Sequence, residues 1–205
     1  AILRLQQLAE ANNIQSYVFS AMAFKGRLLF LNREFEQSER LLREGIVNLK
    51  DARYDNTRIP FLGRLAELLA AAGRPEEAVL VAEESLDRTR TIGALGMLPD
   101  ALRIHGTALQ SLEGSQSRKA ESQFRDAIAV SRQQGALGWE LKAVQCLADM
   151  LRLQGRSEEA ATLLIETLDK FVEGFETEPL RHARALLDQL QATAPGGTKK
   201  QVARS

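Results

Sequence analysis

Few residues of this chain are of types that do chemistry. Its two histidines, His105 and His182, stand 77 positions apart. Neither has a second ligand three or four residues further on, the spacing that lets one helix present two donors to a zinc ion. His105, beside Gly106, reads as a partly buried structural histidine, with a functional imidazole as the alternative. Cys146 is the only thiol and has no neighbour in sequence that clearly lowers its pKa, so a small core or inner-face residue is expected over a reactive one. The acid pairs Glu76/Glu77 and Glu158/Glu159 cannot form an acid–base dyad, because adjacent helical positions do not face each other; they belong to helix starts. "EGSQS" (113–117) lacks the pattern and the preceding strand of a nucleophile elbow. The word "GALG" occurs at 93–96 and again at 135–138, where its glycines could cradle a phosphate, form a hinge or punctuate helices. No GxxxxGK[ST] and no GxGxxG after a strand accompanies it. No catalytic residue, metal or cofactor is expected.

Composition limits the alternatives further. The 205 residues are 44% hydrophobic, 26% charged and only 5% aromatic, an Ala- and Leu-rich balance that favours helix. Lys plus Arg and Asp plus Glu both number 27, which lacks the basic surplus of a nucleic-acid-binding body. Lys199, Lys200 and Arg204 lie in the last ten residues without an acid, so 194–205 is expected to be a disordered basic tail. A single cysteine suits a reducing cytoplasm, and no run approaches the length of a membrane span. The opening "AILRLQQLAEA" starts inside an amphipathic pattern, as if cut from something longer.

The elements that place these residues come from an internal repeat. "NREFEQSERLLREGI" (32–46), "AGRPEEAVLVAEESL" (72–86), "GSQSRKAESQFRDAI" (114–128) and "QGRSEEAATLLIETL" (154–168) align without gaps at steps of 40, 42 and 40 residues. Each runs from a turn into a helix, here named B, with small or apolar residues at i, i+4, i+7 and i+8. In the first copy these are Ser38, Leu42, Gly45 and Ile46, and in the last Ala160, Leu164, Thr167 and Leu168. Small residues let a neighbouring backbone approach, while the larger ones supply buried area. A helix A precedes each, in "MAFKGRLLFL" (22–31), "LGRLAELLAA" (62–71), "LRIHGTALQS" (102–111) and "VQCLADMLRL" (144–153). These share a small position, Gly26, Ala66, Gly106 and Ala148, with Leu29, Leu69, Leu109 and Leu151 three residues later. The two helical glycines predict close A/B crossings. Pro60, Pro75, Pro99 and Pro179 are expected near helix starts and none inside a helix. Gly93 and Gly135 are expected to end helices in the left-handed conformation, Gly96 and Gly138 to ease the chain into the next helix, and Asn12, Asn13, Asp55 and Asn56 to serve the two earlier junctions.

Small residues at these positions of an A/B pair resemble the tetratricopeptide repeat, although the period is near 40 in place of 34 and the usual aromatic after the small position is missing. "FLGRLAELLAAAGRPEEA", "PDALRIHGTAL", "GALGWELKAVQCLADMLRLQGRSEEA" and "EGFETEPLRHARALLDQL" resemble more closely the C-terminal repeat region of large bacterial signalling regulators with an AAA- or STAND-type ATPase. Those regulators carry either a winged-helix DNA-binding domain or a class III nucleotide cyclase, the first preferred here. The resemblance implies an all-α, right-handed superhelix of about four hairpins. Its divisions would be a truncated half repeat at 1–13, four repeats over 14–176 and a capping helix at 177–193.

The resemblance also implies a concave face lined by helix A positions 2, 5, 9 and 12. In the first two repeats these are Ser20, Ala23, Arg27 and Phe30, then Pro60, Gly63, Glu67 and Ala70. In the last two they are Asp100, Arg103, Thr107 and Gln110, then Lys142, Gln145, Asp149 and Arg152. The ten polar positions among Arg27, Glu67 and the last two sets are the candidate binding residues; an ordinary solvated face is the alternative. Trp139 is expected to pack on the preceding helix B or to anchor a partner. The expected function is a non-catalytic cytoplasmic scaffold for a protein, a peptide or upstream domains of the same polypeptide, without membrane or direct nucleic-acid contact and with self-association allowed. A small-molecule sensor, with its pocket between repeats three and four, is the alternative.

Overall fold

The computed structural model describes residues 1–112 and 116–193, and those residues form helices with no strand among them. The basic tail and most of "EGSQS" lie outside the described residues. In chain order the helices are α1 (Ile2–Ala11), α2 (Gln15–Leu31), α3 (Phe35–Asp51), α4 (Asp55–Ala71), α5 (Pro75–Thr91), α6 (Leu98–Ser111), α7 (Ser117–Gln133), α8 (Leu137–Leu153), α9 (Ser157–Leu168) and α10 (Glu178–Thr193). Helices α2, α4, α6 and α8 are the A helices, and α3, α5, α7 and α9 the B helices. The chain divides into two compact units, Ala1–Gln123 and Phe124 onward. In the first, α2 pairs with α3 and α4 with α5, and the A helices α2, α4 and α6 touch in succession. In the second, α8 pairs with α9 and α10 packs on both.

The repeat pattern places the core. Ser38, Leu42, Gly45, Ile46, Ala78, Ala82, Ser85 and Leu86 are all buried in the first unit. Ala160, Leu164 and Thr167 are buried in the second, with Leu168 at half depth. A Cβ added to Gly26 would stand 3.1 Å from the Ser38 carbonyl oxygen, and one on Gly45 3.1 Å from that of Phe19, so α2 and α3 cross backbone to backbone. The Ser38 hydroxyl fills this crossing by donating to the Gly26 carbonyl at 2.7 Å. The other predicted crossing glycine, Gly106, is buried in α6.

Seven joints follow one rule, whereas α6 ends on an extended Leu112 and α9 on a right-handed Asp169. A left-handed residue follows the helix-ending residue, at Asn13, Arg33, Arg53, Gly73, Gly93, Gly135 and Gly155. At α4, the Gly73 N–H donates to the Ala70 carbonyl and the Arg74 N–H to the Leu69 carbonyl, the paired bonds of a Schellman motif. The same pair closes α8, through Gly155 to Arg152 and Arg156 to Leu151. Arg74 and Arg156 are then the N-caps of α5 and α9, so each of these links is three residues long. The "GALG" glycines Gly93 and Gly135 therefore hold the predicted conformation, with φ of 69° and 64°.

Three sequence expectations change. The junction before α4 uses Arg53, with φ 62°, while Asp55 and Asn56 already belong to the helix. Gly138 likewise lies inside α8, and Gly96 in a short 3-10 turn, Leu95–Met97. Pro60 sits inside α4, because α4 begins at Asp55, well ahead of its apolar core. It lies on the exposed side, where the helix bond it removes costs least. Pro75, Pro99 and Pro179 do occupy first turns.

Candidate functional site

In the first unit, three successive A helices bring five charged side chains together. Arg103 on α6 donates to Glu67 Oε1 on α4 at 2.7 Å, and to Asp100 Oδ1 on its own helix at 2.7 Å from Nη2 and 2.9 Å from Nε. Arg64 on α4 completes a ring, donating to Glu67 Oε2 at 2.7 Å and to Asp100 Oδ2. Each carboxylate thus meets two guanidiniums and each guanidinium two carboxylates. Such a closed arrangement suits burial, since a desolvated charge is tolerated only when paired and hydrogen-bonded. The ring side chains are between 10% and 17% exposed.

Arg27 on α2 stands at the edge of the ring, its side chain 37% exposed. Its Nη1 lies 3.5 Å from Glu67 Oε2 as an ion pair and makes no hydrogen bond. Burial, followed by the neighbouring Arg64, lowers its pKa. With three guanidiniums against two carboxylates the cluster carries one net positive charge, and Arg27 is its most accessible member.

The structure thus brings together Arg27, Glu67, Asp100 and Arg103 of the expected lining, and adds Arg64, which sequence reasoning missed. Its i,i+3 spacing from Glu67 was the available signal. Thr107 turns inward, its hydroxyl donating to the Arg103 carbonyl at 3.1 Å, and Gln110 is half-buried. Three of the other expected lining positions are buried: Ala23 and Ser20 lie within the packing, and Gly63 faces Ile104 so closely that an added Cβ would stand 2.6 Å from its Cδ1. Gly63 is closed off by α6 and Ala23 by Gly45 of α3, so neither position is left open as a lining.

The second unit treats its four candidates differently. Gln145 is buried and ties α8 to α10, donating through Nε2 to the Pro179 carbonyl at 2.9 Å and lying 3.1 Å from His182 Nδ1. Asp149 and Arg152 form a half-exposed surface pair at 3.5 Å. Lys142 holds its Nζ 4.4 Å from the ring centre of Trp139. Trp139 is half-buried and lines a cavity of about 630 Å³ with residues of α10 and of the segment before it. Sequence reasoning left this cavity out, because its far wall comes from a segment outside the repeat.

A second buried anchor lies in α8. Glu140 Oε1 accepts from Arg132 Nε and from Lys170 Nζ, each at 2.6 Å. Burial pushes its pKa up, but the bonds from Lys170 and Arg132 outweigh it and hold the carboxyl below its usual range. His105 is half-buried, with Nδ1 3.1 Å from Gln123 Oε1, and Cys146 is also half-buried. Among the described residues no cluster of three His, Cys, Asp or Glu is placed to hold a metal ion, and no helix is long and apolar enough to cross a membrane.

No family model and no curated protein matches the sequence. Solved structures do match in fold. BtubC (BKLC) from P. vanneervenii superposes with a TM-score of 0.69 at 15% identity, over 100% of this chain and 91% of that one. A kinesin light chain-like protein of Podosopora anserina with nearly identical TPR-like repeats gives a TM-score of 0.64 at 16% identity, covering 84% of both chains. A point variant of that protein gives 0.62 at 17% identity, over 84% of this chain and 92% of that one. By fold, the chain is an all-α array of TPR-like helix hairpins.

Proposed function

We propose that the chain is a non-catalytic scaffold that holds a protein partner, or a neighbouring domain of its own polypeptide, within a cytoplasmic bacterial signalling or transcription regulator. The observation that carries this reading is the ring of Arg64, Glu67, Arg103 and Asp100, with Arg27 beside it. It spans three A helices and fixes a cationic point at the surface in a rigid setting, as partner recognition by a preorganised face needs. An acidic side chain of the partner is the group that complements it. The regulator context rests on the sequence resemblance, with the winged-helix type preferred over the cyclase type. The candidates of the second unit, Lys142, Gln145, Asp149 and Arg152, contribute less to this reading: Gln145 is already used between helices and Asp149 with Arg152 on the surface.

Site-specific photocrosslinking tests it. A benzophenone amino acid at Leu31, exposed one turn from Arg27 on α2, is expected to capture protein in bacterial cells, whereas one at Leu80, exposed on helix B, captures far less. Equal capture at the two positions, or none at 31, overturns the proposal.

A further inference from the structure

The second unit contains an apolar cavity that the repeat scheme does not require. Its volume of about 630 Å³ lies inside the range of small-molecule sites. It is lined by Leu137 and Trp139 of α8, by Pro179 and Leu180 of α10, and by Phe171 of the link between α9 and α10. The link that supplies Phe171 departs from the three-residue joints: residues 169–177 separate α9 from α10. The same link also exposes apolar side chains, with Val172 89% and Phe175 37% accessible.

Lys142 is the one charged side chain among the residues that line this cavity. Lys142 is exposed, lines the cavity and lies against the Trp139 ring. Two helices begin there, α8 with Leu137 and α10 just before Pro179, and helix starts carry positive partial charge. The carboxylate of Glu140, in the first turn of α8, is already held by Arg132 and Lys170. Glu178, in the first turn of α10, is exposed.

Apolar walls with a cationic rim fit one class of molecule. We infer that this cavity binds a small amphipathic organic anion, a medium-chain or aryl-alkyl carboxylate whose apolar body lies between Trp139, Phe171 and Leu180 and whose carboxylate meets Lys142. The inference is independent of the scaffold reading, which rests on residues of the first unit. It shifts the sensor alternative from a groove between repeats three and four to a site built by repeat four and the terminal helix.

Trp139 is the chain's only tryptophan, so its fluorescence reports on the cavity without a label. The full chain is titrated with octanoate and 4-phenylbutyrate, and with the neutral octanamide and 4-phenylbutanamide, by fluorescence and calorimetry. At least one acid is expected to bind saturably at one site, and about fivefold or more tighter than its amide. Lys142→Gln should remove that preference while leaving amide binding in place, and Lys142→Arg should restore it. Phe171→Ala should weaken acid and amide alike. Amides binding as well as acids, a Lys142→Gln variant that keeps the preference, or no saturable response to either acid would overturn the inference. So would a peptide of hydrophobic and acidic residues that binds there more tightly than both acids.

Discussion

Helix A position 5 is filled by Arg103 in the third repeat and by Gln145 in the fourth, and both residues are 8% exposed. Arg103 reaches back to α4 and closes an ionic ring, whereas Gln145 reaches forward to α10 with a neutral amide. One register of the repeat therefore joins an A helix to its neighbour by charge in the first unit and by an amide hydrogen bond in the second. Beside the amide the structure leaves an apolar cavity, and beside the ring a cationic edge. What a repeat position does depends on the neighbour across from it as much as on its place in the period.

Substitutions can separate these two solutions. The largest effect is expected for Arg103→Ala, which takes from Glu67 and Asp100 one of the two guanidiniums that bridge them; removing one member of a buried ion cluster costs about 3–5 kcal/mol. Hydrogen exchange read peptide by peptide should place the loss in the first unit, and full protection there would sink the ionic account. Glu140→Gln is next, at about 2 kcal/mol in the second unit, because bonds to a charged partner are worth about 1.5–3 kcal/mol. Its folded pKa lies below the unfolded value of about 4.3, so the stabilisation is present above that pH and is lost as pH falls through the folded value. The glutamine variant should accordingly show a flatter acid limb in unfolding measured against pH.

Gln145→Ala should cost less, about 1 kcal/mol for a neutral bond, if the amide link is the weaker of the two. A loss equal to that of Arg103→Ala would erase the contrast. The smallest effects fall at the joints. Gly135→Ala should lose about 1 kcal/mol in the second unit, since an L side chain strains the left-handed region. Arg53→Gly in the first unit should gain about 0.5 kcal/mol, the strain relieved being partly offset by chain entropy. Thermal melting of each variant measures both signs.

Much of this was legible in the sequence because period and residue size carry packing directly. Leu42, Ala78, Phe124 and Leu164 are fully buried where the alignment put them. Helix starts were less legible: α4 begins at Asp55, ahead of its apolar core, and this placed Pro60 inside it. Left-handed positions were readable where Gly93 and Gly135 marked them and hidden where Arg33 and Arg53 took the same conformation. For the candidate face, the family resemblance named four of the five clustered charges. It did not reveal that Ala23 and Gly63 would be covered, because neither residue type signals that Gly45 of α3 or the Ile104 side chain of α6 packs on it. The cavity depends on a single link outside the period, which a search for repetition discards.

The shared joints bear on how the array melts. Since Arg74 ends α4 through its N–H and starts α5 as its N-cap, the last turn of one helix and the first turn of the next stand on the same peptide units. Neither end can fray alone without loosening the other, so opening should spread hairpin by hairpin, as nearest-neighbour coupling in repeat proteins requires. The link at 169–177 lacks that shared residue, so α10 is held to α8 and α9 by side-chain packing and the Gln145 bond in place of a common joint.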